Sequence, residues 1–83
     1  LRRFTMAILT YDEVIDEMQH VLEEQYIPDK MEEFEGDEDV IADVKETTPK
    51  ELLNSYLDGT LNGSYGIEAI NTKGDNYEVE YSL

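Results

Sequence analysis

The segment TYDEVIDEMQHVLEEQYIP, residues 10–28, decides the fold because it combines a helix start with a continuous apolar stripe. Thr10 and Glu13 have the spacing of a capping box, in which two side chains satisfy backbone donors at the start of a helix. The spacing predicts a long amphipathic helix over about residues 10–27, which Pro28 ends. Its buried stripe consists of Tyr11, Val14, Ile15, Met18, Val21, Leu22 and Tyr26.

Two or three shorter helices are predicted after Pro28. Asp29 and Gly36 bracket a single helical turn, because Asp is a good N-cap and Gly a good helix stop. Thr48 and Glu51 form a second capping box, with Pro49 at the first helical position. The predicted spans are about residues 30–35, 38–46 and 49–58.

Near the C-terminus the apolar period changes from that of a helix to two, which is typical of a β-strand. Tyr77, Val79 and Tyr81 alternate with polar residues, and the turn-forming KGDN at residues 73–76 precedes them. The pattern predicts a hairpin over about residues 65–83, and a hairpin alone is only marginally stable. We therefore expect one α+β domain over residues 1–83, in which the N-terminal helix and the shorter helices pack against a C-terminal antiparallel β-hairpin.

The first five residues, LRRFT, differ in composition from the rest of the chain. Arg2 and Arg3 would be encoded by AGGAGG, a strong bacterial ribosome-binding site, at a suitable distance before Met6. One hypothesis is that residues 1–5 are translated leader. The alternative is an extended strand with Phe4, Met6 and Ile8 on one face.

Composition limits the classes of protein to be considered. The chain has 83 residues, of which 40% are apolar and 10% aromatic, so we expect a small folded domain and not a disordered acidic tail. There is no Cys, which favours a reducing, intracellular setting. Since no apolar run approaches the roughly 18 residues of a membrane span, we expect a soluble protein in the cytoplasm of a bacterial host.

The motifs of catalysis and cofactor binding are missing from the sequence. His20 is the only His, and it lies among carboxylates on the predicted helix. There is no phosphate-binding loop, no dinucleotide fingerprint and no HExxH motif. Paired carboxylates need different environments to act as acid and base, whereas the periodicity places these acids in solvent. We expect a protein that is not an enzyme and needs no cofactor.

A calcium loop is a weaker alternative. A twelve-residue loop that starts at Glu35 places oxygen donors at its third, fifth, ninth and twelfth positions, as in an EF-hand. However, Val40 occupies the sixth position, where the turn requires Gly. The candidate ligands are Glu35, Asp37, Asp39, Asp43 and Glu46.

Negative charge is the dominant feature of the chain. The net charge is −15, and residues 12–46 contain fifteen acids and two bases. The six acids from Asp12 to Glu24 lie about 3 Å apart along a helix axis on average, close to the roughly 3.4 Å between phosphates of one DNA strand. We expect these carboxylates to bind a basic partner, and the alternative is that the charge run is only a solvated surface that aids solubility. The candidate partner-binding residues are Asp16, Glu17, Glu23, Glu24, Glu32, Glu33, Glu35, Asp37, Glu38, Asp39 and Asp43.

In size and charge the chain resembles the small acidic phage and mobile-element proteins that act as DNA mimics. These include many anti-CRISPR proteins, anti-restriction proteins and uracil-DNA glycosylase inhibitors. The resemblance covers the composition of the whole chain and no shared motif. It implies an inhibitor that occupies the basic nucleic-acid-binding groove of a host protein, with a CRISPR effector nuclease as the first choice. The negative charge itself predicts no direct binding to nucleic acid, and the short apolar runs predict no membrane partner.

A different class of function stays open. Tyr65, Tyr77 and Tyr81 lie on the predicted hairpin, and Tyr is favoured at protein interfaces. An acidic adaptor or regulator would bind through this Tyr-rich hairpin, with carboxylates only at the rim. The other explanation of the same pattern is that these rings form the core face of the hairpin.

Overall fold

The computed structural model describes residues 4–82 and has a three-stranded antiparallel sheet covered by helices on one face. Its strands are β1 (Phe4–Leu9), β2 (Ile67–Lys73) and β3 (Asn76–Ser82), in the order β1-β3-β2. The α+β class and the C-terminal hairpin are confirmed. The sheet also contains the N-terminal strand β1, which the predicted architecture omitted.

β1 corresponds to the strand alternative for the N-terminus. Ala7 pairs with Val79 and Leu9 with Tyr77, which places Ala7 and Leu9 on the helix-covered face. Met6 and Ile8 therefore lie on the opposite face, where they are exposed. Of the predicted leader, Leu1 to Arg3 lie outside the described residues, as does Leu83 of the predicted hairpin.

The first helix continues through Pro28, so the predicted stop at this residue is wrong. It consists of α1 (Tyr11–Val21), a π-helical segment (Leu22–Tyr26) and α2 (Ile27–Glu33) without interruption. In the π segment the backbone N–H of Ile27 donates to the carbonyl of Leu22, five residues back. Proline in a regular helix lacks its hydrogen bond and clashes with the carbonyl four residues back. The wider turn just before Pro28 relieves that conflict and lets the helix continue.

Two further helices follow, α3 (Glu38–Lys45) and α4 (Pro49–Leu57). Both predicted capping boxes are present, and each is reciprocal between its Thr side chain and its Glu side chain. The predicted separate helix over 30–35 does not exist, because its residues belong mostly to the end of α2.

The core lies between the helices and one face of the sheet. α1 and α4 pack against each other, and α4 also packs on β2. The fully buried side chains come from both layers and account for the stability of a chain this small. They are Val14, Met18, Val21, Leu22, Leu52, Leu53, Tyr56, Ile67, Ile70 and Val79.

The buried phenol of Tyr56 predicts a loss of stability in alkali. Its hydroxyl donates to the carbonyl of Ser64 at 2.7 Å, and burial raises its pKa from the usual 10 to about 12. Because the folded state holds the proton more tightly, the stabilisation is complete below pH 10 and is lost as the pH rises towards 12. We expect the free energy of unfolding, measured in urea at several pH values, to fall over this range by up to about 1.4 kcal/mol per pH unit.

The matched variant is Tyr56→Phe, which keeps the ring and removes the ionisable group. It should be less stable at pH 8, because the Ser64 carbonyl loses its donor, and should show a shallower slope above pH 10. Equal slopes for both proteins would contradict this role of Tyr56.

Candidate functional site: the acidic surface

The carboxylates lie on the surface, as predicted. Among residues 4–82 no charged side chain is buried. Ten of the eleven predicted partner-binding acids are exposed, and Glu17 is half-buried. The structure nevertheless divides the acids into two groups that the sequence did not separate.

Four acids hold the local backbone. Glu13 and Glu51 complete the capping boxes of α1 and α4, and Asp37 caps α3 by accepting from the Val40 N–H at 3.3 Å. Asp58 accepts from the Thr60 N–H in the turn after α4. Backbone hydrogen bonding lowers the pKa of Glu13, and hydrogen bonding to Thr60 lowers the pKa of Asp58. These four carboxylates therefore stabilise the local backbone of the fold.

Six more acids have side-chain partners. Lys30 pairs with Glu33 at 3.0 Å, and Lys73 with Glu78 at 3.2 Å. Burial raises the pKa of the Tyr81 phenol, and the neighbouring Glu17 carboxylate raises it further. The remaining pairs are Gln19 with Glu23, Tyr65 with Asp29, and Ser82 with Glu68. Of the predicted partner-binding residues, Glu17, Glu23, Glu33 and Asp37 thus have roles within the fold that the sequence did not reveal.

The other eleven acids form no hydrogen bond or ion pair inside the described part of the chain. All but the half-buried Glu80 are exposed, so their charges are available to another molecule. Eight lie on the helices and the turn between α2 and α3, and Glu46 follows directly as the C-cap of α3. The eleven are Asp12, Asp16, Glu24, Glu32, Glu35, Glu38, Asp39, Asp43, Glu46, Asp75 and Glu80.

Three of the free acids form a row along the first helix. Asp12, Asp16 and His20 follow one another in steps of four on α1, so successive members are neighbours on its surface, and Glu24 follows in the π-helical segment. Residues four apart are about 6 Å apart along the axis. Glu13, Glu17 and Glu23 have partners within the fold, so only three of the six acids between Asp12 and Glu24 are free. The number of free carboxylates per ångström of helix axis is therefore about half of the value obtained from all six.

A denser group surrounds the turn between α2 and α3. We call Glu32, Glu35, Glu38, Asp39 and Asp43 the α2–α3 acidic cluster. α2 packs on α3, and Gly36 in the turn has a φ of +90°, a conformation that favours glycine. Glu32 lies sixteen residues after Asp16 on the same helix, about 24 Å along its axis. Glu24, the last acid of the row, lies only eight residues before Glu32, about 12 Å along the axis, so the row leads into the cluster.

The calcium-loop alternative does not fit this backbone. α3 occupies residues 38–45, which would be the fourth to eleventh positions of the predicted loop, and Asp37 is engaged as its N-cap. Within residues 4–82 no three of the acids and His are gathered as a metal site would require. Glu35, Asp37, Asp39, Asp43 and Glu46 are distributed along a cap and a helix and do not surround one point.

The hairpin tyrosines pack against the core. Tyr65, Tyr77 and Tyr81 are partly buried against the core residues. The rings of Tyr65 and Tyr26 pack edge to face, with their centroids 5.8 Å apart. The Tyr65 hydroxyl donates a hydrogen bond to the Asp29 carboxylate at 2.7 Å. Tyr65 has a φ of +56°, a left-handed conformation that is uncommon for a non-glycine residue. Each ring is therefore partly buried against the core and partly exposed, so the core contacts explain the Tyr pattern in part and leave some Tyr surface for the adaptor alternative.

Clustered free charge predicts that salt stabilises the fold. Like charges four residues apart, such as Asp12 and Asp16, oppose the helix that carries them, and added salt screens that repulsion. We expect the melting temperature to rise by several degrees between about 20 mM and about 300 mM sodium chloride. Calcium at equal ionic strength should add nothing further. A melting temperature that does not change with salt would contradict the clustering.

Among residues 4–82, every helix is too short or too polar to pass through a lipid bilayer. Comparison with protein-family models, with curated proteins and with solved structures found no match to this chain.

Proposed function

We propose that this chain is an acidic, non-enzymatic inhibitor that occupies the nucleic-acid-binding groove of a host defence or DNA-processing protein. The observation that supports this proposal is the set of eleven acids without a partner among residues 4–82, five of which form the α2–α3 acidic cluster. A domain of 83 residues has a small stability margin, and self-repulsion reduces it. A basic groove would supply the counter-charges that the fold lacks.

The partner expected for such a surface is a protein that binds phosphates. A groove lined with Lys and Arg attracts a negative surface by the same long-range field that attracts nucleic acid. By its resemblance to acidic DNA-mimic proteins, a CRISPR effector nuclease is our first choice. The site of action would then be the cytoplasm of a bacterial host.

Catalysis receives no support from the described residues. No pocket is present in residues 4–82, and the single His lies exposed on α1. Enzyme sites usually bury titratable groups in a concave pocket. A stoichiometric inhibitor needs neither, because it acts by occupying a surface.

The test is capture of the partner from a bacterial lysate at two salt concentrations. We expect immobilised protein to retain a nucleic-acid-binding protein at about 50 mM salt and to lose most of it at about 500 mM, since screening shortens the reach of charge. A partner that stays bound equally at both concentrations would favour an apolar interface instead. Capture of no nucleic-acid-binding protein at low salt would contradict the proposal.

The isolated protein should not bind nucleic acid. A surface of this sign repels phosphates, so we expect no mobility shift of duplex DNA, single-stranded DNA or RNA at physiological salt, up to micromolar protein. The control is a basic DNA-binding protein of similar size under the same conditions. A clear shift with any of the three would overturn the inhibitor mechanism.

A further inference from the structure

β1 is an unprotected edge of the sheet. Within residues 4–82 no strand pairs with its outer side, so half of its backbone hydrogen-bonding groups face outward. Proteins usually protect such an edge with a charged residue, a proline or a bulge. The strand FTMAIL contains none of these.

The opposite edge of the sheet shows the contrast. β2 has a bulge between Ile67 and Ala69 and ends at Lys73. The turn before it also covers part of its edge, because the Gly63 N–H donates to the carbonyls of Ile67 and Glu68. β2 is therefore protected against further pairing, whereas β1 is not.

The side chains of β1 extend the same argument. Met6 and Ile8 are 54% and 51% exposed, and they are the most exposed large apolar residues in the described chain. They lie on the face of the sheet away from α1 and α4. The first ten residues also contain no acid, although the whole chain has 21. On the same face Glu80 of β3 lies opposite Met6 and Glu78 lies opposite Ile8, so the nearest carboxylates are one strand away from this edge.

We propose that two copies of this chain associate by antiparallel pairing of their β1 strands, forming a continuous six-stranded sheet with a two-fold axis at Ala7. In this register Met6 lies opposite Ile8 of the second copy, and Thr5 lies opposite its Leu9. Directly opposite residues share a face, so the two Met6–Ile8 pairs form one apolar patch, and the two-fold axis places both helical layers on the other face of the sheet.

The second copy is favoured over an unrelated strand because β1 complements itself. Each copy offers the other an unpaired backbone edge, and Met6 of each copy lies opposite Ile8 of the other. The opposing force is repulsion between two bodies of net charge −15. Since salt screens that repulsion, we expect the dimer to tighten as salt rises, which is opposite to the behaviour expected for binding a basic groove. The proposal does not rest on the proposed function.

Disulfide trapping tests the register directly, because the chain has no cysteine of its own. Opposite residues of an antiparallel pair have Cα atoms about 4.5–5.5 Å apart, within the range of a disulfide, whereas diagonal residues are about 7–8 Å apart. We expect a mixture of Met6→Cys and Ile8→Cys chains to form the mixed disulfide at least about tenfold faster than either chain forms its own. The control is a mixture of Met6→Cys and Met31→Cys chains, because Met31 lies on α2 and away from the proposed interface.

Sedimentation at rising protein concentration and at two salt concentrations measures the association itself. Met6→Lys with Ile8→Lys places like charges opposite one another and should weaken the dimer at least about tenfold, with the fold retained because both sites are exposed. Met31→Lys with Leu57→Lys changes the net charge equally and should keep it. Three results would overturn the proposal: a monomer under all conditions, a dimer that the β1 substitutions do not affect, or a mixed disulfide that forms no faster than in the control. A monomer would leave this edge to a strand of another protein.

Discussion

Replacing Glu35, Asp37, Glu38 and Asp39 together by their amides should weaken partner binding about a hundredfold and leave the fold intact. Loss of the charges slows association, and loss of direct contacts to Arg speeds dissociation. Three of these residues have no partner in the fold. Asp37 caps α3, and the Asn that replaces it is an equally good cap, so the amide series avoids the instability that alanine would cause. The measurement is the affinity of the variant for the captured partner at low salt. Circular dichroism checks that the variant is folded.

The matched control removes four charges from the hairpin, by changing Glu68, Asp75, Glu78 and Glu80 to their amides. Its total charge equals that of the first variant, so a difference between the two reports position and not net charge. We expect the hairpin variant to lose less than about threefold in affinity. If the hairpin variant loses binding and the other retains it, the α2–α3 acidic cluster is solvated surface and does not contact the partner.

Leu53→Ala should lower the free energy of unfolding by about 2–5 kcal/mol, because it opens a cavity in the centre of the core. Leu53 is 2% exposed, and α4, which carries it, packs on both α1 and β2. Domains of this length have a total stability of only about 4–12 kcal/mol. Urea unfolding followed by circular dichroism should therefore show a midpoint shifted far towards zero.

Leu57→Ala is the control, since Leu57 lies one turn further along α4 and is 37% exposed. The substitution and the helix are the same, so differences in helix propensity cancel. We expect a loss below about 1 kcal/mol at this position. Equal losses at the two sites would mean that α4 does not bury the face described above.

The helix starts could be predicted from the sequence because a capping box depends on two residues three apart. Thr10 with Glu13 and Thr48 with Glu51 need no information from the rest of the chain. The hairpin was predictable for a similar reason, since its turn and its period of two are both local. These features account for most of the architecture.

The predictions that failed required non-local information. Pro28 normally ends a helix, but the π-helical segment at Leu22–Tyr26 lets the helix continue, and no local sequence pattern predicts such a segment. β1 is a short strand, and the alternation of its side chains between the two faces indicates a strand only because β3 pairs with it. The paired residues of β1 and β3 are separated by 68 to 78 residues in the chain.

The candidate site was predicted in outline and corrected in detail. Exposure of the acids follows from their place off the apolar stripes, and the structure agrees. Which acids are engaged within the fold is a question of tertiary contact. Glu17 meets Tyr81 and Asp29 meets Tyr65 across long stretches of chain, so no local pattern could assign them.

The most direct test of the inhibitor proposal is competition with nucleic acid for the captured partner. A labelled oligonucleotide is bound to the partner, this protein is added in increasing amounts, and anisotropy reports the fraction of oligonucleotide still bound. The account predicts full displacement at about one protein per binding groove, and much weaker displacement by the variant at residues 35, 37, 38 and 39. A ternary complex, in which this protein binds while the oligonucleotide stays in place, would contradict the account.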